Sequence, residues 1–214
     1  MKEDIDLKIL PSKTYDVLDT LLKIDDLLNN FVLAGGTALS LFFKHRKSED
    51  LDFLTFKKNS FDKTKIINNI MQLSKIKLIN ESKDQIDLIL NNVKITFYDS
   101  QYEFLSREEF IKIGNLNIVS INALIALKVQ VLFLRARYRD YFDLYFLIKK
   151  LGINNVFKIA NSYFPQLTEK IFHIALLYID DIEEDSIIHL EPIEDITKDK
   201  IQKYFESEIK KIVR

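Results

Sequence analysis

Between Pro11 and Leu28 the apolar residues Leu18, Leu21, Leu22 and Ile24 recur at helical spacing behind a Pro-Ser start signal, which predicts a helix over 12–28. Phe31-Val32-Leu33-Ala34 is a continuous apolar run too short for a helix and reads as a buried strand that runs into Gly35-Gly36. Residues 37–44 return to a helical pattern, and Asp50-Leu51-Asp52-Phe53-Leu54 alternates as a strand with one polar face. The first recognisable unit is therefore strand, Gly-Gly turn, helix, strand. A helix over 61–73, capped by Ser60, follows, then strands over 75–79, 85–90 and 93–98. Asn91-Asn92 between the last two is a two-residue hairpin turn, because asparagine tolerates positive φ. After Ser120 the pattern is helical throughout, over 121–134, 140–150, 154–163, 168–178 and 198–213. Strands gather before residue 120 and helices after it. That segregation predicts an α+β fold in which a mixed-sheet core, 1–120, is followed by a helical C-terminal half, 121–214, packed on it.

Composition narrows the class. The 214 residues are 47% hydrophobic and 29% charged, as in ordinary globular proteins, and they include no cysteine, so disulfides and thiolate metal sites are excluded. No apolar run reaches the roughly 18 residues of a membrane span, and the first ten residues carry acids where a leader would carry bases. A cytoplasmic protein without a membrane partner is the expectation. With 31 basic and 32 acidic residues the net charge is −1, which gives no global pull toward nucleic acid. Locally, residues 128–150 hold six bases and two acids, and residues 180–195 hold eight acids and no lysine or arginine. The acidic stretch reads as solvated surface.

Two residue groups carry candidate chemistry. Asp50 and Asp52, two apart on one strand, leave the same face while Leu51 and Phe53 point into the core. Two carboxylates so close repel unless a hard divalent cation lies between them, and Mg²⁺ favours a carboxylate pair completed by phosphate oxygens. Gly35-Gly36-Thr37 ends a strand and opens a helix, where unpaired backbone N–H groups favour a phosphate and glycine permits its close approach. Either feature alone is commonplace. Together, separated by thirteen residues, they set a phosphate site beside a metal site at adjacent strand ends.

Leu33-Ala34-Gly35-Gly36-Thr37-Ala38-Leu39, followed by Arg46, Ser48, Asp50 and Asp52-Phe53, resembles the first motif of the AbiEii/AbiGii toxin family of nucleotidyltransferases, in the polymerase-beta-like superfamily. Lys128, Arg135, Arg139-Asp140 and Asp143-Leu144-Tyr145 resemble its last two motifs. The resemblance implies a polymerase-beta-like core in which Asp50 and Asp52 bind Mg²⁺ or Mn²⁺. Gly35, Gly36 and Thr37 would hold phosphate, with Arg46, Ser48, Arg135 and Arg139 also binding nucleotide. Lys128 would contact the triphosphate, and Asp140 would be the essential late aspartate. It further implies nucleotide transfer from a nucleoside triphosphate to an RNA, such as a tRNA, or to a protein. Such members are toxins of toxin–antitoxin or phage-abortive systems, with a cognate antitoxin as partner.

The residues themselves qualify this picture. Lys128 lies in an apolar run and calls for an anionic partner, and a continuous helix would align Lys128, Leu132, Arg135 and Arg139 as a cationic stripe. Asp140 also suits the N-cap of the next helix, and Arg139 with Asp143 suits a surface pair. Polymerase-beta-like enzymes commonly carry a third carboxylate on a later strand, where this sequence has Thr96. The Asn91-Asn92 hairpin sets Asp87 opposite it as a substitute acid or as a plain cross-strand pair. His45, next to Arg46, is a further candidate for touching substrate, and the three histidines have no zinc spacing. The rival expectation is a catalytically silent module of the same fold that binds a nucleotide or a partner.

Overall fold

In the computed structural model, which describes residues 5–212, helix α1 covers Ser12–Leu22 and stops well before residue 28. Asp25 and Asp26 explain the early stop: carboxylates are unfavourable at the negative end of a helix, and Asp26 adopts a left-handed φ of 59°. Strand β1 (Phe31–Ala34) leads directly into α2 (Gly35–Phe43), and β2 (Leu51–Thr55) follows. Helix α3 (Lys63–Met71) is capped by Asp62, which accepts from the Lys65 amide at 2.9 Å, and not by Ser60. Then come β3 (Lys77–Glu81), β4 (Gln85–Leu90) and β5 (Val93–Tyr98), with Asn91 and Asn92 both at positive φ in the turn. Two short strands escaped the pattern reading, β6 (Ile111–Ile113) and β7 (Leu116–Ile118), which turn at Gly114.

The seven strands form one sheet in the order β3-β4-β5-β2-β1-β7-β6. It is mixed: β2 runs antiparallel to β1 and parallel to β5, and β1 runs parallel to β7. One face is closed by Leu51, Phe53, Ile86, Leu88, Ile95 and Phe97, all fully buried, with Phe53 stacked on Phe97 at 5.2 Å between ring centres. The alternate residues of β2 and β5 are only half-buried, so function can use that side. Edge strand β3 begins two residues later than its pattern indicates. Every residue of it is exposed, and a register irregularity lies between Leu78 and Asn80, so no buried face fixes its start.

This sheet and its helices make up the unit Met1–Ser120. The second unit, Ile121–Arg214, contains α4 (Ile121–Val131), α5 (Tyr138–Leu151), α6 (Ile153–Tyr163), α7 (Glu169–Leu177) and α8 (Lys198–Ile212). The α+β class with a helical C-terminal half is thus observed. Among the described residues no helix is long and apolar enough to cross a membrane.

Candidate active site

The register places Ala34 of β1 beside Asp52 of β2, Asp52 beside Thr96 of β5, and Thr96 beside Asp87 of β4. One row thus crosses four strands at the end where β1 meets α2. Gly35, next after Ala34, adopts a φ of +67°, which a side chain would strain, and a Cβ on it would lie 2.1 Å from Oδ2 of Asp52. The Asp52 carboxylate therefore rests against the bare backbone where the helix begins. Gly36 serves a neighbouring cradle: its Cβ would lie 2.8 Å from an Arg46 guanidinium nitrogen and 3.0 Å from Oγ of Ser48. Arg46 and Ser48 are both buried, and Arg46 also donates to the Lys47 carbonyl at 2.9 Å.

Asp50 lies one residue ahead of β2 rather than inside it. Its backbone carbonyl accepts the buried Thr37 hydroxyl, so the side chain of Thr37 fixes the approach to β2 and only its backbone remains for a ligand. Asp50 and Asp52 are both half-buried. His45 is fully buried.

A divalent cation can be tested against these donors. Among the described residues no group of three or more His, Asp or Glu side chains is placed to hold a metal. Two hard carboxylates, one set against the positive end of a helix, nevertheless fit Mg²⁺ or Mn²⁺, which take one or two protein carboxylates and fill the remaining positions with water and phosphate oxygens.

Asp87 stands on the expected row, but β5 separates it from Asp52, two strand spacings or about 9.5 Å. Its Oδ1 accepts from Thr96 at 2.8 Å and from Gln85 at 2.9 Å, and Lys94 lies 3.5 Å from Oδ2. Burial pushes this carboxyl up. The hydrogen bonds of Gln85 and Thr96, with the Lys94 charge, outweigh burial and hold it below the ordinary carboxylate value.

In the second unit, Lys128 on α4 is buried, and its ammonium lies 3.0 Å from Asp140 and 2.8 Å from Asp143, both on α5 and both fully buried. Asp140 is not the N-cap: Arg137 takes that position, and Oδ2 of Asp140, one turn in, accepts the Arg137 amide at 3.2 Å. The continuous cationic stripe does not form, because α4 ends at Val131 and the chain turns through Ala136 at a φ of 33°. Arg135 is exposed, with Nε 3.9 Å from Asp140, and Arg139 is half-buried. Asp143 belongs to the buried cluster and not to a surface pair, which its i,i+3 spacing from Asp140 on one helical face could have signalled.

The mixed sheet followed by a helical half has the fold of nucleotidyltransferases. A model of the family described as nucleotidyl transferase AbiEii toxin, type IV toxin–antitoxin system, matches residues 16–213, and the chain belongs to that family. It is 30% identical over 185 residues to the protein aq_aa25 of Aquifex aeolicus (strain VF5), covering 84% of this chain and 90% of that one. Solved structures that share the fold include the following two. JHP933 from Helicobacter pylori does so with a TM-score of 0.51 at 20% identity, over 95% of this chain and 97% of that one. ANT(2")-Ia, solved in complex with adenylyl-2"-tobramycin, does so with a TM-score of 0.50 at 13% identity, over 71% of this chain and 97% of that one.

Proposed function

We propose that the chain moves a nucleotide from a nucleoside triphosphate onto a hydroxyl of RNA, tRNA ends included, or of a protein, using Mg²⁺ or Mn²⁺ held by Asp50 and Asp52. The reading makes it a cytoplasmic toxin restrained by a cognate antitoxin, with phage defence as its setting. Backbone N–H groups of Gly35, Gly36 and Thr37 receive phosphate oxygens at the start of α2, and Arg46 and Ser48 support that turn from beneath Gly36. Lys128, Arg135 and Arg139 are assigned to the triphosphate, and Asp140 orients Lys128. A divalent cation, when bound, offsets charge on the phosphates undergoing transfer.

The observation that carries the reading is the seat of Asp52 against Gly35, where only a hydrogen atom fits. A carboxylate kept half-exposed at a helix start, on a strand whose other face is sealed core, is arranged for a ligand. The test is incubation of the protein with each labelled nucleoside triphosphate, Mg²⁺, and mixed RNA and protein acceptors, read by mass spectrometry of both. Label on an acceptor with the parent chain and none with Asp52→Asn is expected. Transfer by Asp52→Asn at the parental rate would refute the assignment.

The rival, a silent nucleotide- or partner-binding module, is favoured by one observation: the row position of a third acid is taken by Thr96, hydrogen-bonded to Asp87. Growth arrest on expression separates the two. Arrest that disappears with Asp50→Asn and Asp52→Asn is chemical, whereas arrest that survives at equal protein level is sequestration.

A further inference from the structure

On α7, Ile171 and Ile174 lie three apart, and Tyr178, seven beyond Ile171, stands in the 3₁₀ turn Tyr178–Asp181 that continues the helix. All three are exposed, Ile174 at 58% and Tyr178 at 50%, whereas Phe172, Ala175 and Leu176 between them are buried. The helix therefore carries two apolar stripes. One packs inside the unit, and the other, at i, i+3 and i+7, faces solvent. The chain continues from this stripe into residues 180–195, with eight acids and no lysine or arginine.

This acidic segment is pinned to the unit. Lys198 donates to the Asp180 and Ile182 carbonyls at 3.0 and 3.1 Å, the Tyr138 hydroxyl donates to the Ile196 carbonyl at 2.6 Å, and Ile187 and Leu190 are buried. Asp180 and Asp181 stand in the turn that continues the stripe, with Glu183, Glu184 and Asp185 following, whereas Glu194 is taken by Lys149 on α5. We propose that this face docks a basic amphipathic helix of a partner protein, with apolar side chains at i, i+3 and i+7 laid on Ile171, Ile174 and Tyr178 and lysines or arginines directed at Asp181, Glu183, Glu184 and Asp185. Exposed apolar positions at helical spacing match the side chains of a second helix, and the exposed acids Asp181, Glu183, Glu184 and Asp185, which outnumber Lys170 on α7, set the sign of the partner. An RNA backbone is repelled by the same acids. A second copy meeting this face about a two-fold axis would set acid against acid.

The probe is a fluorescent, N-acetylated Leu/Lys amphipathic helical peptide, titrated into the full chain by anisotropy at low and moderate salt, beside a permuted peptide of the same composition. Saturable, salt-sensitive binding of the amphipathic peptide is expected. It should weaken about tenfold or more in Ile174→Gln/Tyr178→Gln, and comparably in Asp181→Asn/Glu183→Gln/Glu184→Gln/Asp185→Asn. Exposed positions keep the fold in both variants, as thermal unfolding will register. Equal binding of the permuted peptide, or undiminished binding by the first variant, would reduce the face to a diffuse acidic surface and overturn the proposal. So would self-association of the parent chain in sedimentation that the first variant abolishes, because the occupant would then be a second copy.

Discussion

Two groups of ionisable side chains in this molecule are built on opposite terms. Asp50 and Asp52 are half-buried at a strand end, one of them against a glycine that leaves room for nothing larger than hydrogen. Lys128, Asp140 and Asp143 are withdrawn from water and hold one another at 2.8–3.0 Å. The first arrangement leaves its carboxylates partly open to water, as the proposed cation and phosphate site requires. The second sets two buried carboxylates on one buried ammonium, so removing a single member leaves charge uncompensated in the interior. Substitution in the two places should leave different signatures, activity lost far more than stability in the first and stability together with activity in the second.

The largest effect is expected at Asp52. Asp52→Asn should lower nucleotide transfer by on the order of 10²–10³-fold or more with the unfolding midpoint almost unchanged, measured by initial rates and thermal unfolding side by side. A large fall in the midpoint would erase the contrast. Next comes Asp143→Ala, which leaves a buried ammonium with one partner fewer and should cost about 3–5 kcal/mol in denaturant unfolding. Replacing the whole cluster by Lys128→Met, Asp140→Leu and Asp143→Leu should recover most of that stability, since apolar residues of similar volume carry no desolvation cost. Transfer by that recovered protein sharpens the comparison: its loss supports Lys128 as a triphosphate ligand, and its retention makes the cluster structural only.

Gly35→Ala comes third. A left-handed φ alone costs a side chain about 1–2 kcal/mol, and the methyl group must also displace Asp52, so both stability and transfer should fall. Parental activity would mean that the seat is not needed. The smallest effect belongs to Asp87. Its folded-state carboxyl is held below the ordinary value of about 4, so it contributes stability above that pH and loses the contribution as pH falls through the folded value. Asp87→Asn should cost about 1 kcal/mol at neutral pH and narrow the gap in stability between pH 7 and pH 3. Transfer that falls as far as with Asp52→Asn would instead make Asp87 part of the chemistry.

Legibility in the sequence followed how local each signal was. β1, β4, β5 and the Asn91-Asn92 turn lie where the pattern set them, and so does the pairing of Asp87 with Thr96, because apolar alternation and the hairpin fix register over a few residues. β6 and β7, three residues each, are too short for alternation to stand out, and β7 is held by its parallel partner β1. The Gly35/Asp52 seat was visible as motif spacing. The same spacing could not reveal that the Thr37 hydroxyl is turned inward to the Asp50 carbonyl. At Lys128 the need for an anion was evident, and the identity of that anion depended on the break after Val131, which cancelled the stripe and left two α5 aspartates as its partners.

The sheet order has a consequence for the chain as it leaves the ribosome. β1, α2 and β2, with the whole glycine–aspartate seat, fall within residues 31–55 and can pair as soon as that stretch emerges. β1 nevertheless acquires its other neighbour only when Leu116–Ile118 arrives, and β2 waits for Val93–Tyr98. Until then the two central strands are unprotected edges able to template a neighbouring nascent chain. Local pairing at the seat and distant pairing around it leave those edges open longest while residues 55–118 are being made, and slowing synthesis over that stretch should lower soluble yield.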